Sequence, residues 1–146
     1  MERTGIKGKN ISLCICYHAF QAGPNHLHII WEMKTKNGRE MPHSSFNKFS
    51  SHMILKDLKE HHPKVLTHFK VEEAEHAYRI WQRDPLAILM DSKHMVEQKI
   101  EYLHNNPLHE RWQLADRPEK YRWSSARFYE TGKDEFGFIT HYADRF

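Results

Sequence analysis

The chain has 146 residues, 39% of them hydrophobic and 12% aromatic, which suits one globular domain and excludes a disordered protein. Its 22 Lys and Arg residues against 19 Asp and Glu give a net charge of +3, which permits a nucleic-acid partner without requiring one. No apolar run is long enough to cross a bilayer, and residues 1–10 are basic without an apolar segment, so we expect a cytoplasmic protein.

Two β-strands are predicted first along the chain. Residues 13–20 are rich in β-compatible side chains, and residues 27–31 form a second such run. The short connection between them contains Gly23 and Pro24, which favour a turn. The two strands are therefore expected to be antiparallel neighbours.

An amphipathic helix is predicted next. Ser44 or Ser45 is suited to cap its N-terminus, and Pro63 ends it. Residues 77–81 then predict another short strand. The helical side chains expected to face the core are Phe46, Phe49, Met53, Ile54 and Leu58.

A second helix is predicted to begin after Asp91 and Ser92, which form a polar turn, and to end at Pro107. The tail from Arg111 mixes Trp, Arg and Tyr residues and predicts only short helical or irregular structure. The core-facing residues of the second helix are expected to be Val96, Ile100 and Leu103.

A pair of histidines, His26 and His28, is the first candidate for chemistry. Residues two apart on a strand point to the same side, about 6.6 Å from one another, so the two imidazoles can converge on a divalent metal. From spacing alone, two surface histidines on a hairpin are the alternative.

The second helix offers Tyr102 and Asn106, four residues apart and so on one helical face. This face lies roughly opposite the apolar one, and it would present a nucleophile and a ligand together. Two simpler interpretations stay open. Asn106 precedes Pro107 and could cap the helix end, and Tyr102 could be an ordinary residue of an amphipathic helix.

Three motifs in order carry a resemblance to a known family. They are NHLHIIW at 25–31, EYLHNNP at 101–107 and WSSAR at 123–127, with IWQRD at 80–84 before the second helix. The chain resembles the His-hydrophobic-His, single-tyrosine transposases, closest to the REP-associated tyrosine transposases. The similarity extends from about His18 to the C-terminus.

The resemblance implies an α+β fold in which an antiparallel sheet is flanked by helices, a ferredoxin-like His-hydrophobic-His nuclease core. It also implies that His26, His28 and Asn106 hold Mg²⁺ or Mn²⁺ and that Tyr102 is the nucleophile. The implied activity is metal-dependent nicking and rejoining of single-stranded or hairpin DNA through a 5′-phosphotyrosine, by a monomer or a homodimer.

Candidate DNA contacts interleave cations with aromatic rings, the combination that tracks a backbone and stacks unpaired bases. The aromatic members could instead belong to the core, and Ser124 or Ser125 could simply cap a short final helix. The candidates are Trp81, Arg83, Arg122, Trp123 and Arg127.

The chain also departs from the family in two places. Gln21, Ala22 and Gly23 replace an apolar strand segment that usually ends in Met, and this is expected to weaken the strand before the histidines. Only 25 residues precede His26, where the family places a strand and a helix. We therefore expect a single domain over residues 1–146 that lacks this first strand and helix and is poorly active.

Two other classes of function are compatible with the sequence. One is a DNA-binding remnant of such a transposase that no longer cuts. The other is a structural zinc site built from Cys14, Cys16, His26 and His28, because thiolate and imidazole suit zinc. The zinc interpretation leaves Tyr102 and Asn106 without a role.

Overall fold

The computed structural model describes residues 15–36, 38–83 and 85–146. It combines helices with a two-stranded antiparallel sheet, the α+β class that the sequence predicts. Within the described residues, no helix is both long enough and apolar enough to span a membrane. The elements in chain order are β1 (Ile15–Ala22), β2 (Leu27–Met33), α1 (Pro42–His61), α2 (Pro63–Leu66), α3 (Lys93–Asn105) and α4 (Ala126–Thr131).

The chain forms two compact units, which are described separately below. Unit 1 contains Thr35–Ile88, and unit 2 contains Ile15–Lys34 together with Leu89–Phe146. The sheet, α3 and α4 belong to unit 2, whereas α1 and α2 belong to unit 1.

Strands β1 and β2 pair antiparallel, from Ile15 opposite Met33 to Ala22 opposite Leu27, with an irregularity between Tyr17 and Ala19. Both strands run two residues beyond their predicted C-terminal ends, whereas the predicted residues 13 and 14 lie outside the described part. β1 was expected to weaken at residues 21–23. This prediction is wrong for Gln21 and Ala22, which remain in the strand.

The tail of the chain pairs with the other edge of β1. The backbone N–H of Ala22 donates to the carbonyl of Trp123 at 2.8 Å, and the N–H groups of Ser125 and Thr140 donate to carbonyls of β1 at 2.9 and 2.8 Å. These bonds explain how a strand containing a glutamine and small residues persists, since its backbone groups are satisfied on both sides. Among the described residues, β2 has β1 as its only strand partner.

Helix α3 covers one face of the sheet, as its sequence predicts. The side chain of Ser92 accepts a hydrogen bond from the backbone N–H of Met95 and caps the helix, which ends at Asn105 before Pro107. The apolar cluster beneath it consists of Ala19, Ile30, Val96, Ile100 and Leu103, each at most 6% exposed.

Ser125 ties α3 to β1 from the interior of unit 2. Its hydroxyl lies 2.8 Å from Nε2 of His104 and 3.0 Å from the backbone nitrogen of Phe20, and Ser125 itself is fully buried. The interpretation of Ser125 as a simple helix cap is therefore wrong, since its side chain makes no capping bond to α4. The hydroxyl of Ser124 does accept from the N–H of Ala126.

Unit 1 is built on the 20-residue helix α1, which begins at Pro42 rather than at Ser44 or Ser45. Proline suits the first helical position because the N–H that it lacks would have no partner there. Ser45 is buried and donates instead to Glu40, and Pro63 follows the end of the helix as predicted. Of the five residues expected to face a core, Leu58 is buried, whereas Phe49 and Met53 are about half exposed.

The strand predicted at residues 77–81 is reduced to one bridge. Lys70 pairs antiparallel with Tyr78, flanked by backbone bonds from Val71 to Ala77 and from Arg79 to Phe69. The β-compatible side chains give local pairing, but a ladder needs a longer partner than residues 69–71 provide.

Candidate functional site

Two histidines lie together where β2 begins. His26 immediately precedes the strand and His28 is its second residue. Their ring centroids are 5.1 Å apart and both side chains are partly buried. The structure thus brings these two predicted ligands together on one side of the sheet.

Asn106 reaches the same place from the end of α3. It starts the short 3₁₀ turn Asn106–Leu108, and its Nδ2 lies 3.0 Å from Nε2 of His26 and 3.1 Å from Oε1 of Gln21. An amide carries its oxygen and its nitrogen on the same carbon, so Oδ1 of Asn106 lies next to the nitrogen that contacts His26. Asn106 is therefore within reach of a ligand shared with His26.

Tyr102 lies one helical turn before Asn106, with its ring centroid 6.1 Å from that of His28. Its side chain is 60% exposed, so the phenol is accessible to a large substrate. The ammonium of Lys99 is 5.9 Å from the centroid of the same ring. A positive charge therefore stands beside the tyrosine, where an arriving phosphate would be attracted.

The ring of His26 is held at both its nitrogen atoms. Nδ1 donates to Oδ1 of Asn25 at 3.0 Å, which leaves the lone pair of Nε2 directed toward Asn106. Fixing the tautomer in this way is how proteins present an imidazole to a metal.

Trp112 packs against His26 at a ring-centroid distance of 5.1 Å and was not identified from the sequence. It sits in a tight turn in which Leu114 donates to the carbonyl of Pro107 and Gln113 has φ of 45°. The guanidinium of Arg111 covers the indole at 4.8 Å. Trp112 follows His26 by 86 positions, and no sequence pattern links the two residues. The contact is therefore visible only in the fold.

The pKa of His28 lies below its ordinary value, mainly because burial disfavours the charged ring and also because His26 is close. The neutral form is therefore favoured further at neutral pH, and neutral imidazole is the form that binds metals. Among the described residues, no group of three His, Cys, Asp or Glu side chains is placed to hold a metal ion. Asn106, whose amide nitrogen is 3.0 Å from Nε2 of His26, is placed to add an amide oxygen to the two imidazoles as a third ligand.

The candidate DNA contacts of unit 2 lie at the surface. Trp123 is 54% exposed, which overturns its interpretation as a core residue, and the guanidinium of Arg122 stacks over it at 5.2 Å. Arg127 forms an ion pair with Glu135 at 3.1 Å. The charge of Arg127 is thus partly neutralised, whereas Arg122 has no carboxylate partner in the part of the chain that the structure describes.

The candidate contacts of unit 1 are occupied within that unit. The indole N–H of Trp81 donates to the hydroxyl of Ser50 at 2.8 Å. The guanidinium of Arg83 is 3.3 Å from the carboxylate of Glu73, which Arg79 also binds. Asp84 of the same motif lies outside the described residues.

The alternative zinc site is not supported by the position of Cys16. Cys16 pairs with Glu32, whereas His28 pairs with Gln21, five residues along β1. At a rise of about 3.3 Å per residue, Cys16 is more than about 10 Å from His28, too far for both to bind one ion. Cys14 lies outside the described residues.

Comparisons with known proteins reveal no relative: no protein-family model, no curated protein and no solved structure matches the chain. Function is therefore inferred from the geometry of unit 2 and from the residue motifs.

Proposed function

We propose that the protein nicks and rejoins single-stranded DNA through a covalent bond to Tyr102, with Mg²⁺ or Mn²⁺ as cofactor, as in the single-tyrosine transposases. One observation carries this proposal. Tyr102, His28, His26 and Asn106 come from segments about 80 positions apart, yet neighbouring groups are separated by 6.1 and 5.1 Å between ring centroids and by 3.0 Å between polar atoms.

The fold of unit 2 is compatible with this function. In the proposal, β1, β2 and α3 are part of a ferredoxin-like His-hydrophobic-His nuclease core, with the histidines at the start of β2 and the tyrosine on the covering helix. A site built on a strand and a helix is held more precisely than one built on loops.

The residues that would hold the cation are His26, His28 and Asn106. When bound, a divalent cation withdraws charge from the phosphate oxygens and so makes the phosphorus easier to attack. The chain itself supplies the two imidazoles, the amide, and the packing of Trp112 against His26.

Tyr102 supplies the nucleophile. Its phenol oxygen attacks the phosphorus and loses its proton to solvent, while the bond from phosphorus to the 3′ oxygen breaks. The leaving oxygen takes a proton from solvent and becomes a 3′ hydroxyl. The product is a 5′-phosphotyrosine. A 3′ hydroxyl can then attack the same phosphorus and release Tyr102, so one phosphodiester is broken and one formed without an external energy source.

Substrate binding is assigned to the exposed pair Arg122 and Trp123. A single strand offers unpaired bases that stack on an indole and phosphates that attract a guanidinium. Because the pair is solvent-facing, it can be occupied without rearrangement of the core.

The test is to incubate the protein with short single-stranded and hairpin DNAs in Mg²⁺ or Mn²⁺ and to detect a covalent adduct by denaturing electrophoresis. We expect an adduct that chelation prevents and that Tyr102→Phe abolishes while DNA binding changes less than about twofold. Tyr78→Phe, which removes one phenol oxygen from unit 1, is the matched control and is expected to keep the adduct. An adduct with Tyr102→Phe would remove this residue from the mechanism.

A second candidate function is DNA binding without cleavage. It is favoured by the exposure of Arg122 and Trp123, which requires no catalysis to explain it. In that case the same experiment would give DNA binding sensitive to Arg122→Ala and no adduct with any substrate or metal.

A further inference from the structure

Gln21 is a buried amide beside the candidate metal ligands. It is 1% exposed and pairs with His28 across the two strands, so both side chains leave the sheet on the same side. An amide in the interior is costly unless its polar atoms are hydrogen-bonded. A buried glutamine at this position therefore needs a hydrogen-bond partner. An apolar residue would fill the same space without the free-energy cost of burying an amide.

The partner is the side chain of Asn106. Oε1 of Gln21 accepts from Nδ2 of Asn106 at 3.1 Å, across 85 positions of sequence. Asn106 lies beyond the last residue of α3, and the orientation of its amide therefore depends on its side-chain contacts. In the described part of the chain, the groups that contact its nitrogen are Gln21 and His26.

Oε1 of Gln21 faces the nitrogen end of the Asn106 amide. An amide oxygen only accepts hydrogen bonds, so it selects the nitrogen of Asn106 and leaves Oδ1 as the atom available to a cation. The contact of the same nitrogen with Nε2 of His26 would be lost when that lone pair binds a metal, and the bond to Gln21 would then remain as the orienting contact.

We propose that Gln21 is a positioning residue that acts through Asn106 to orient its amide for metal binding. This role rests on the proposed function, because it assigns Asn106 as a ligand. Residues that orient metal ligands typically change metal affinity by about 10- to 100-fold when they are replaced.

The experiment measures the Mn²⁺ dissociation constant of the full chain by calorimetry, with melting temperature and far-ultraviolet circular dichroism as folding checks. Gln21→Met removes the acceptor at similar volume and is expected to weaken Mn²⁺ binding about tenfold. Gln21→Glu keeps an oxygen at the same place and is expected to bind Mn²⁺ at least as tightly as the unaltered protein. The matched control is Gln98→Met, on the exposed side of α3, which is expected to change nothing.

A double-mutant comparison tests the route of action. In an Asn106→Ala background, Gln21→Met is expected to cause no further loss of Mn²⁺ affinity, whereas a glutamine that bound the metal itself would give additive losses. The side-chain amide resonances of Asn106 in the metal-free protein are also expected to shift in Gln21→Met.

The outcomes separate the two proposals. A folded Gln21→Met protein with unchanged Mn²⁺ affinity, additive losses with Asn106→Ala, or loss of binding in Gln21→Glu would each overturn the role of Gln21 while leaving the DNA adduct and its metal dependence intact. If Gln21→Met does not fold, Gln21→Glu decides through its Mn²⁺ affinity and through the Asn106 amide resonances of that variant, which are expected to shift in the metal-free protein. Absence of both Mn²⁺ binding and adduct in the unaltered protein would instead contradict the proposed function.

Discussion

The imidazole of His26 lies directly against the backbone of Gly23. A Cβ atom at Gly23 would stand 2.6 Å from Nε2 and 2.9 Å from Nδ1 of that ring, closer than side-chain carbons ever approach. The N–H of Gly23 also donates to the carbonyl of His26 at 2.8 Å and closes the turn between the strands. Glycine is therefore required here by the position of a candidate metal ligand.

Gly23→Ala is expected to displace His26 and to weaken Mn²⁺ binding about tenfold, with a parallel loss of DNA adduct. The control is Gly38→Ala, where φ is 67° but a Cβ would meet nothing within 4 Å. This control should cost about 1 kcal/mol of stability through backbone strain and leave Mn²⁺ affinity unchanged. Equal Mn²⁺ affinities in both variants would show that the ring moves aside without consequence.

Arg122→Ala is expected to weaken single-stranded DNA binding and to lower the slope of log affinity against log salt by about one unit. Arg127→Ala should have a smaller effect, because the charge of Arg127 is already paired with Glu135 at 3.1 Å. The measurement is fluorescence anisotropy over a salt series. Identical slopes for Arg122→Ala and the unaltered protein would make Arg122 a structural residue.

Helix α3 and the histidine pair were predictable because their signals are local. Val96, Ile100 and Leu103 repeat at helical spacing and are buried, and the helix begins after Asp91 and Ser92 as predicted. The prediction that His26 and His28 share one side of the sheet likewise depends only on the two-residue period of a strand.

The contacts made by Gln21, Trp112 and Ser125 could not be predicted, because each joins segments far apart in sequence. Gln21 and Ala22 were expected to weaken β1. Backbone bonds from the tail to Phe20 and Ala22, on either side of Gln21, and the bond between its side chain and Asn106 keep it in the strand. Helical periodicity also misjudged Phe49 and Met53, since it identifies an apolar face but not whether anything covers it.

Ser125→Ala is expected to lower the free energy of unfolding by about 2–3 kcal/mol, because it leaves the buried Nε2 of His104 and the N–H of Phe20 without the hydroxyl that contacts both. Ser92→Ala removes an exposed helix cap and should cost about 1 kcal/mol. Urea denaturation monitored by tryptophan fluorescence compares the two. A Ser125 loss no larger than the Ser92 loss would mean that water replaces the missing hydroxyl.

The burial of His104 predicts a pH dependence of stability. Removal from water lowers the pKa of this imidazole from 6.5 to about 4 in the folded protein. Between those two values the unfolded chain binds the proton and the folded one does not, so the free energy of unfolding falls as pH drops from about 6.5 to about 4. A shift of this size corresponds to roughly 3 kcal/mol across that interval.

His104→Gln is therefore expected to flatten the decline in stability between pH 6.5 and pH 4, although it lowers stability at pH 7 through poorer packing. His94→Gln is the control, because it removes an exposed histidine of α3, one of the 13 in the chain, and leaves His104 unchanged. This variant should keep the full decline in stability toward pH 4. Urea titrations at half-unit pH intervals give the slope for each protein. If His104→Gln and His94→Gln lose stability equally steeply toward pH 4, the acid sensitivity comes from other groups, and His104 accepts its proton in the folded state as readily as in the unfolded one.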